Sequence, residues 1–176
     1  NKLVEWKNQK QHKPLILNGV RQCGKTFILK EFGKKEFASL AYVSCDRNES
    51  LQAIYTGDFN VLRIIQGLSA LTGVDIIPGK TLIFLDEVQA FPQALEALKY
   101  FCEDAPEYHI VVAGSLLGVA LHAGVSFPVG KVQTLRLFPM DFEEFLMALG
   151  EDQLLKLMHN HDYELMNAFH EKLKDY

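Results

Sequence analysis

Short apolar runs bounded by turn-forming residues recur along the chain. Each run is apolar throughout instead of alternating with polar residues, which is typical of parallel strands covered on both faces. We therefore predict five strands, at residues 15–17, 40–45, 81–85, 108–113 and 132–138.

Between the runs, apolar residues recur at helical spacing. Segments 25–37, 58–71 and 92–102 each place apolar side chains on one side of a helix. Asp58 suits the N-cap of the second segment, and Pro92 suits the first turn of the third. Strands that alternate with helices predict an α/β core of three layers, in which a parallel sheet lies between helices.

After Pro139 the pattern contains helices only. Residues 1–140 are therefore expected to form the core, and residues 141–176 a helical lid or its beginning. Three helices without an intervening strand are predicted in the second part, at 141–149, 151–158 and 162–173.

Composition describes an ordinary globular domain. The chain has 176 residues, of which 48% are hydrophobic and 23% are charged, enough for one core and a small subdomain. Its three scattered cysteines are too few for a disulfide framework, so a reducing, cytoplasmic location is expected. Residues 6–11 are mostly polar where a signal peptide would have an apolar run, so no signal peptide is expected. Residues 108–130 lack charged side chains, but glycines, histidines and Pro128 interrupt them, which indicates a buried strand and a loop.

Charge is distributed unevenly. The net charge is −4, yet residues 1–35 carry nine basic side chains and two acidic ones. The N-terminal fifth therefore offers a positive field that attracts an anion.

The first chemical motif lies between the first predicted strand and the first helix. Gly19-Val20-Arg21-Gln22-Cys23-Gly24-Lys25-Thr26 fits the phosphate-loop pattern Gly-x-x-x-x-Gly-Lys-Ser/Thr. Glycines let the backbone wrap a phosphate, Lys25 reaches the outer phosphates, and the Thr26 hydroxyl can ligate Mg²⁺. We therefore expect a nucleotide to contact Gly19, Gln22, Cys23, Gly24, Lys25, Thr26 and Phe27.

The second motif is the apolar strand 81–85 followed by two carboxylates. Asp86 is expected to complete the Mg²⁺ shell. Glu87 is expected to orient and polarise the attacking water as a general base. Because another predicted strand separates the two motifs, the strand order 5-1-4-3-2 is expected. That order is typical of the additional-strand, catalytic-glutamate division of P-loop proteins.

Other residues admit more than one interpretation. Ser115, after the fourth strand, either senses the γ-phosphate or ends a strand in a simple turn. Trp6 and Leu3 either belong to the core or pack on an adenine ring. Arg21 either reaches a phosphate or serves the structure. Cys23 adjoins the phosphate loop's second glycine, where oxidation would block the nucleotide.

Several segments together resemble the prokaryotic predicted AAA-type ATPases of the AAA+ superfamily, near the archaeal signal-transduction ATPases. The resemblance implies ATP and Mg²⁺ as ligands, with roles for Lys25, Thr26, Asp86, Glu87 and Ser115. It also implies a further C-terminal domain beyond Tyr176. The segments that carry the resemblance are 19–26, 85–89, 113–117, 126–131 and 139–146.

Two functions follow from these observations. One is an ATP hydrolase that couples nucleotide state to conformational change, which Glu87 favours. The other is a nucleotide-dependent switch with negligible turnover, favoured because no arginine is compelling as a finger among Arg47, Arg63 and Arg136. Whether the chain acts with a second copy of itself or with a protein partner stays open. A nucleic-acid partner lacks support, because aromatic and basic residues are not interleaved.

Overall fold

A five-stranded parallel sheet forms the centre of the protein. The computed structural model describes residues 1–57, 59–115 and 128–168. Numbered along the chain, the strands lie in the order 2-3-4-1-5 across the sheet, with parallel pairing throughout. This is the predicted order 5-1-4-3-2 read from the other edge, so the α/β architecture is confirmed. The strands are β1 (Leu15–Asn18), β2 (Ser39–Ser44), β3 (Thr81–Asp86), β4 (His109–Gly114) and β5 (Gln133–Arg136).

The helices around the sheet include two that the pattern did not predict. Helix α1 (Lys2–Lys7) has six residues and α3 (Ser50–Ile54) has five, which is too short to show a helical repeat. Helix α4 begins after Asn60, whose side chain accepts from the main-chain N–H of Arg63; Asp58, the predicted cap, lies outside the described residues. The helices are α1 (Lys2–Lys7), α2 (Lys25–Glu36), α3 (Ser50–Ile54), α4 (Val61–Thr72) and α5 (Gln93–Asp104).

Both faces of the sheet are buried at strands β3 and β4, whereas the edge strand β5 alternates between half-buried and exposed residues. Leu82 and Phe84 belong to an apolar cluster with residues of α1 and α2. Ile83 and Leu85, which point to the opposite side of β3, belong to a second cluster with residues of α4 and α5. Every residue of β3 is buried, which explains why its sequence does not alternate between apolar and polar residues.

Helix α1 attaches to the sheet through its tryptophan. Trp6 is 0% exposed, and its indole N–H donates to the carbonyl oxygen of Lys13 at 2.7 Å. Its ring meets His109, the first residue of β4, edge to face at a centroid distance of 5.5 Å. Leu3 is buried in the same cluster. Core packing is therefore the correct interpretation of Trp6, and Leu3 packs in the same core.

Contacts divide the chain into two compact units, Asn1–Phe138 and Pro139–Tyr176. The first helix of the second unit follows Asp141, which forms a capping box with Glu144. The domain boundary at 140 and the lid role stay predictions. Residues 169–176 lie outside the described part of the chain. The helices described in the second unit are α6 (Phe142–Leu149), α7 (Asp152–His159) and α8 (Tyr163–Ala168).

The segment 108–130, which lacks charged residues, begins with β4. The loop predicted to follow falls mostly on residues 116–127, outside the described residues. Within the described parts of the chain, no helix combines the length and the apolar character needed to span a bilayer.

Candidate functional site

Glycine determines the shape of the loop between β1 and α2. A Cβ atom at Gly19 would lie 2.5 Å from the carbonyl oxygen of Leu137 and 2.9 Å from Cys23 Sγ, so no side chain fits there. Gly24 has φ +90°, in the left-handed region that glycine adopts without strain. Gln22, at φ 63°, occupies the same region. Such a turn before a helix N-terminus is typical of phosphate-binding loops.

Lys25, the first residue of α2, is buried against this loop. Its side chain is 6% exposed, and Nζ donates to the carbonyl oxygens of Gly19 at 3.0 Å and Val20 at 2.6 Å. Both partners are neutral, and no carboxylate among the described residues forms an ion pair with Lys25. An uncompensated ammonium group in a glycine-shaped loop suits contact with a phosphate.

The fold brings the two sequence motifs into contact. The hydroxyl of Thr26 donates to Asp86 Oδ2 at 2.7 Å. Asp86 is the last residue of β3 and is 4% exposed. A hydroxyl oxygen and a carboxylate oxygen at this distance form a pair of hard oxygen ligands of the kind that Mg²⁺ prefers.

Tyr42 is a further contact of this carboxylate, and sequence reasoning missed it. Its hydroxyl donates to Asp86 Oδ2 at 3.4 Å. Burial, and then the charge of Asp86, raises the pKa of Tyr42, so it stays a neutral donor. The available signal is the pairing of β2 with β3, where Tyr42 lies opposite Phe84, two residues before Asp86 and therefore on the same face.

Glu87 follows Asp86 in a left-handed backbone conformation, with φ 52° and ψ 43°. This conformation is uncommon for a residue other than glycine, and it turns the chain sharply at the end of β3. Its main-chain N–H donates to Asp86 Oδ1 at 3.0 Å. Its carboxylate oxygen Oε2 accepts from the side-chain amide of Gln89. The main chain of Glu87 thus contacts Asp86, while its carboxylate has a separate hydrogen-bond partner in Gln89.

Ser115 lies at the tip of β4, beside the loop. Strands β4 and β1 pair with Gly114 opposite Asn18, so Ser115 follows β4 where the loop begins. Its hydroxyl oxygen is buried and has no hydrogen-bond partner within the described parts of the chain. Its main-chain N–H donates to Gln89 Oε1 at 3.3 Å. A buried hydroxyl without a partner is uncommon in proteins and suits a contact with a ligand.

A cleft of about 510 Å³ joins the loop to the end of β3. Gln22 and Glu87, two predicted site residues, both line it. Arg21 lines it as well, which places this arginine on the same cleft as the candidate base. The complete lining is Arg21, Gln22, Asp46, Glu87, Gln89 and Ala90.

Two residues predicted to contact the nucleotide, Cys23 and Phe27, do not line this cleft. Cys23 Sγ is 3.9 Å from both the carbonyl oxygen of Leu137 and Lys25 Nζ, so it faces the base of the loop. Phe27 is 70% exposed and lines a separate groove of about 280 Å³ that Leu3 also lines.

Of the three arginines considered as fingers, two have partners of their own. Arg63 donates to the carbonyl oxygens of Ala53, Ile54 and Thr56 and thereby caps α3. The guanidinium of Arg136 lies 5.0 Å from the ring centroid of Phe138. Arg47 lines a different surface pocket, beyond the end of β2. The described residues contain no cluster of three or more histidine, cysteine, aspartate or glutamate side chains that could hold a metal ion.

Comparison with known proteins agrees with this architecture. A family model described as an AAA domain matches residues 11–146. The chain belongs to the AAA domain family. This is a family of nucleotide-binding ATPases, as the resemblance in the motifs predicted. Residues 116–117 and 126–127, which contribute to that resemblance, lie outside the described residues.

One solved structure similar to this AAA domain is a Walker-type ATPase of Pyrococcus abyssi. It is 17% identical, with a TM-score of 0.55, and the match covers 85% of this chain. The likeness supports the fold. The chain spans 55% of the length of that protein. No curated protein matches this sequence.

Proposed function

We propose that this AAA domain binds ATP with Mg²⁺, hydrolyses the β–γ phosphoanhydride bond and couples nucleotide state to a conformational change. The observation that carries the proposal is the 2.7 Å contact between Thr26 and Asp86. It joins the phosphate loop to the acidic end of β3, where Lys25 directly precedes Thr26 and Glu87 directly follows Asp86.

The residues present fit a magnesium ion. Thr26 and Asp86 would hold it, and both supply oxygen. Burial, and then the charges of Asp86 and Glu87, raises the pKa of the Cys45 thiol to about 12, in keeping with two acidic side chains at this end of the sheet. When bound, Mg²⁺ offsets charge on the phosphate oxygens.

Each site residue has a distinct part in the proposal. Lys25, now hydrogen-bonded to two loop carbonyls, exchanges one of them for an outer phosphate oxygen. Glu87 accepts hydrogen bonds from the attacking water and takes its proton. Ser115 offers its unpaired hydroxyl to the γ-phosphate or to that water. The main chain of Gly19, Gln22, Cys23 and Gly24 surrounds the phosphates.

Phe27 is proposed to contact the nucleotide outside the phosphate loop. It follows Thr26 directly and is exposed, and its groove also includes Leu3 and Val4. Its lining combines apolar side chains with Asn1, Glu31, Lys35 and Glu36, and the apolar part, which includes Phe27, suits the flat face of a base. This proposal replaces the role considered for Trp6, which is fully buried.

A nucleotide-dependent switch with negligible turnover is the second candidate. The observation that favours it is the engagement of Arg63 and Arg136 with groups outside the site, because an isolated chain then needs a partner or a second copy to complete catalysis.

The cysteines are free thiols, which agrees with the proposed action in the reducing cytoplasm.

Replacing Glu87 with Gln tests hydrolysis. We expect Mg-ATP binding to persist, because Thr26 and Asp86 are unchanged, while single-turnover hydrolysis falls by about 100-fold or more. Glu107→Gln, at an exposed side chain, is the matched control and should behave as wild type. Equal hydrolysis by wild type and Glu87→Gln would show that another group activates the water. Tight binding without hydrolysis by wild type, even at concentrations that allow self-association, would favour the switch.

A further inference from the structure

A side-chain amide connects two of the candidate catalytic residues. Gln89 Nε2 donates to Glu87 Oε2, and Gln89 Oε1 accepts from the main-chain N–H of Ser115 at 3.3 Å. Glu87 follows β3 and Ser115 follows β4, so this one side chain joins the ends of two neighbouring strands. No role for Gln89 follows from the phosphate loop or from the acidic pair.

The chemistry of the two partners determines how this amide is oriented. A carboxylate only accepts hydrogen bonds, and a main-chain N–H only donates them. The NH₂ group must therefore face Glu87, and the carbonyl oxygen must face Ser115. Only a side chain that carries a donor and an acceptor at its end satisfies both partners, which glutamate and methionine of similar length do not.

Gln89 is itself held by the structure on both sides. Val88, the residue before it, is 0% exposed, and Phe91 is 9% exposed. The main-chain N–H of Ala90 donates to the carbonyl oxygen of Glu87 at 2.9 Å, and that of Phe91 donates to Val88 at 3.0 Å. These contacts form a short 3-10 turn, Val88–Ala90, which gives the amide a rigid base.

The amide occupies only one oxygen of the Glu87 carboxylate. Oε2 accepts from Gln89, whereas Oε1 has no hydrogen-bond partner within the described residues. Glu87 also lines the cleft that it shares with Arg21 and Gln22. A general base needs one oxygen that reaches the water and a fixed orientation of the carboxylate. This arrangement supplies both.

We infer that Gln89 is a positioning residue, which orients the Glu87 carboxylate for proton transfer and links it to the γ-phosphate sensor at Ser115. The inference rests on the proposed hydrolysis. It adds a residue that acts through Glu87 and does not itself touch the nucleotide. A shift of the β4 tip on nucleotide binding is thereby transmitted to the base.

The two hydrogen bonds of Gln89, to the Glu87 carboxylate and from the Ser115 N–H, form a bridge between these residues. Two substitutions separate the two ends of this bridge. Gln89→Glu keeps an oxygen for the Ser115 N–H but replaces the donor to Glu87 with a second carboxylate oxygen. Gln89→Met removes both hydrogen bonds while keeping a similar length. Gln93→Glu and Gln93→Met, in the exposed first turn of α5, are matched controls.

Single-turnover hydrolysis and Mg-ATP affinity are measured for each variant. We expect both Gln89 variants to lose about tenfold or more in the hydrolysis rate while the Kd stays within about threefold of wild type. If the amide only tethered the tip of β4, Gln89→Glu would hydrolyse ATP as wild type does, and the inference would be wrong. Wild-type rates in both variants would also overturn it.

Nuclear magnetic resonance tests the bridge separately from hydrolysis. The side-chain amide signals of Gln89 should move in Glu87→Ala, and the Ser115 N–H should exchange faster in Gln89→Met than in Gln89→Glu. Unmoved Gln89 signals would refute the bridge while leaving the proposed function standing. An intact bridge in a wild-type protein without hydrolysis would instead refute the proposed function, and the positioning role with it.

Discussion

Strand β3 begins and ends with a buried polar residue, and the two residues differ in how their hydrogen bonds and charge are satisfied. At its start, Thr81 is 0% exposed. Its hydroxyl donates to the carbonyl oxygen of Asp75 at 3.1 Å and accepts from the N–H of Ile77 at 3.0 Å. It also lies 2.7 Å from Ser39 Oγ, which is then the donor. All three hydrogen bonds of a hydroxyl are made, so this end is complete within the protein.

At the other end, Asp86 is nearly as buried, but its partners are of a different kind. Its partners are the hydroxyls of Thr26 and Tyr42 and the N–H of Glu87. None of these partners is a cation, and no ion pair of Asp86 occurs among the described residues. A buried carboxylate without a counter-ion is costly for the folded state. The amino end of β3 therefore contributes to stability, whereas the carboxyl end leaves a buried carboxylate without a counter-ion, as the proposed cation and substrate require.

The largest expected effect is at the carboxyl end. Asp86→Asn removes the charge that the proposed ion needs, so single-turnover ATP hydrolysis should fall by about 100-fold or more, about 2.7 kcal/mol. The free energy of unfolding should stay the same or rise, because a buried charge is lost. Hydrolysis assays and urea denaturation measure both quantities. A large loss of stability in this variant would remove the distinction between the two ends.

Thr81→Val tests whether the amino end of β3 contributes to stability and not to nucleotide binding. The side chain keeps its shape but leaves three polar groups without a partner. We expect the free energy of unfolding to fall by about 1–2 kcal/mol, which lowers the melting temperature by about 2–8 °C. Mg-ATP affinity should match wild type at a temperature where both proteins are folded. Weaker nucleotide binding would mean that the amino end of β3 also influences the site.

Lys25→Ala examines the loop beside the carboxyl end. The substitution removes the uncompensated ammonium group, so Mg-ATP should bind at least about tenfold more weakly, about 1.4 kcal/mol. Lys34→Ala, an exposed residue of the same helix outside the lining of the groove at Phe27, is the control. Calorimetric titration of both variants gives the comparison. Equal affinity of Lys25→Ala and wild type would remove the phosphate role from this loop.

The smallest expected effect concerns His109, at the amino end of β4. Burial lowers the pKa of His109 to about 4, with a further contribution from the charge of His12. The unfolded chain binds that proton near pH 6.5, so the folded state loses stability as pH falls from about 6.5 toward 4. His109→Gln should flatten this part of the stability curve, measured by denaturation, and leave Mg-ATP binding at neutral pH unchanged. An unaltered curve would assign the acid sensitivity to other groups.

Much of the fold was predictable because its signals are local. The run from Thr81 to Leu85 is apolar throughout since both faces of β3 are covered, and this is visible without a structure. The spacing of Gly19, Gly24 and Lys25 predicts a phosphate loop for the same reason, because the loop is built from consecutive residues. The strand order followed from one further fact, the predicted strand between the two motifs.

Contacts between distant segments depended on the tertiary structure. Tyr42 reaches Asp86 only because β2 and β3 pair in one particular register. Arg63 caps α3, a helix too short for its own pattern to predict. The role of Gln89 required the ends of β3 and β4 to lie side by side.

The sequence by itself determined the α/β class, the strand order, the phosphate loop and the identity of the acidic pair, because each depends on neighbouring residues or on the order of elements. The tertiary structure decided which side chains meet at the end of β3, and that Trp6 belongs to the core. The physical reason is that a hydrogen bond or a packed ring requires particular distances and directions. Residues far apart in the chain acquire these only when the sheet assembles.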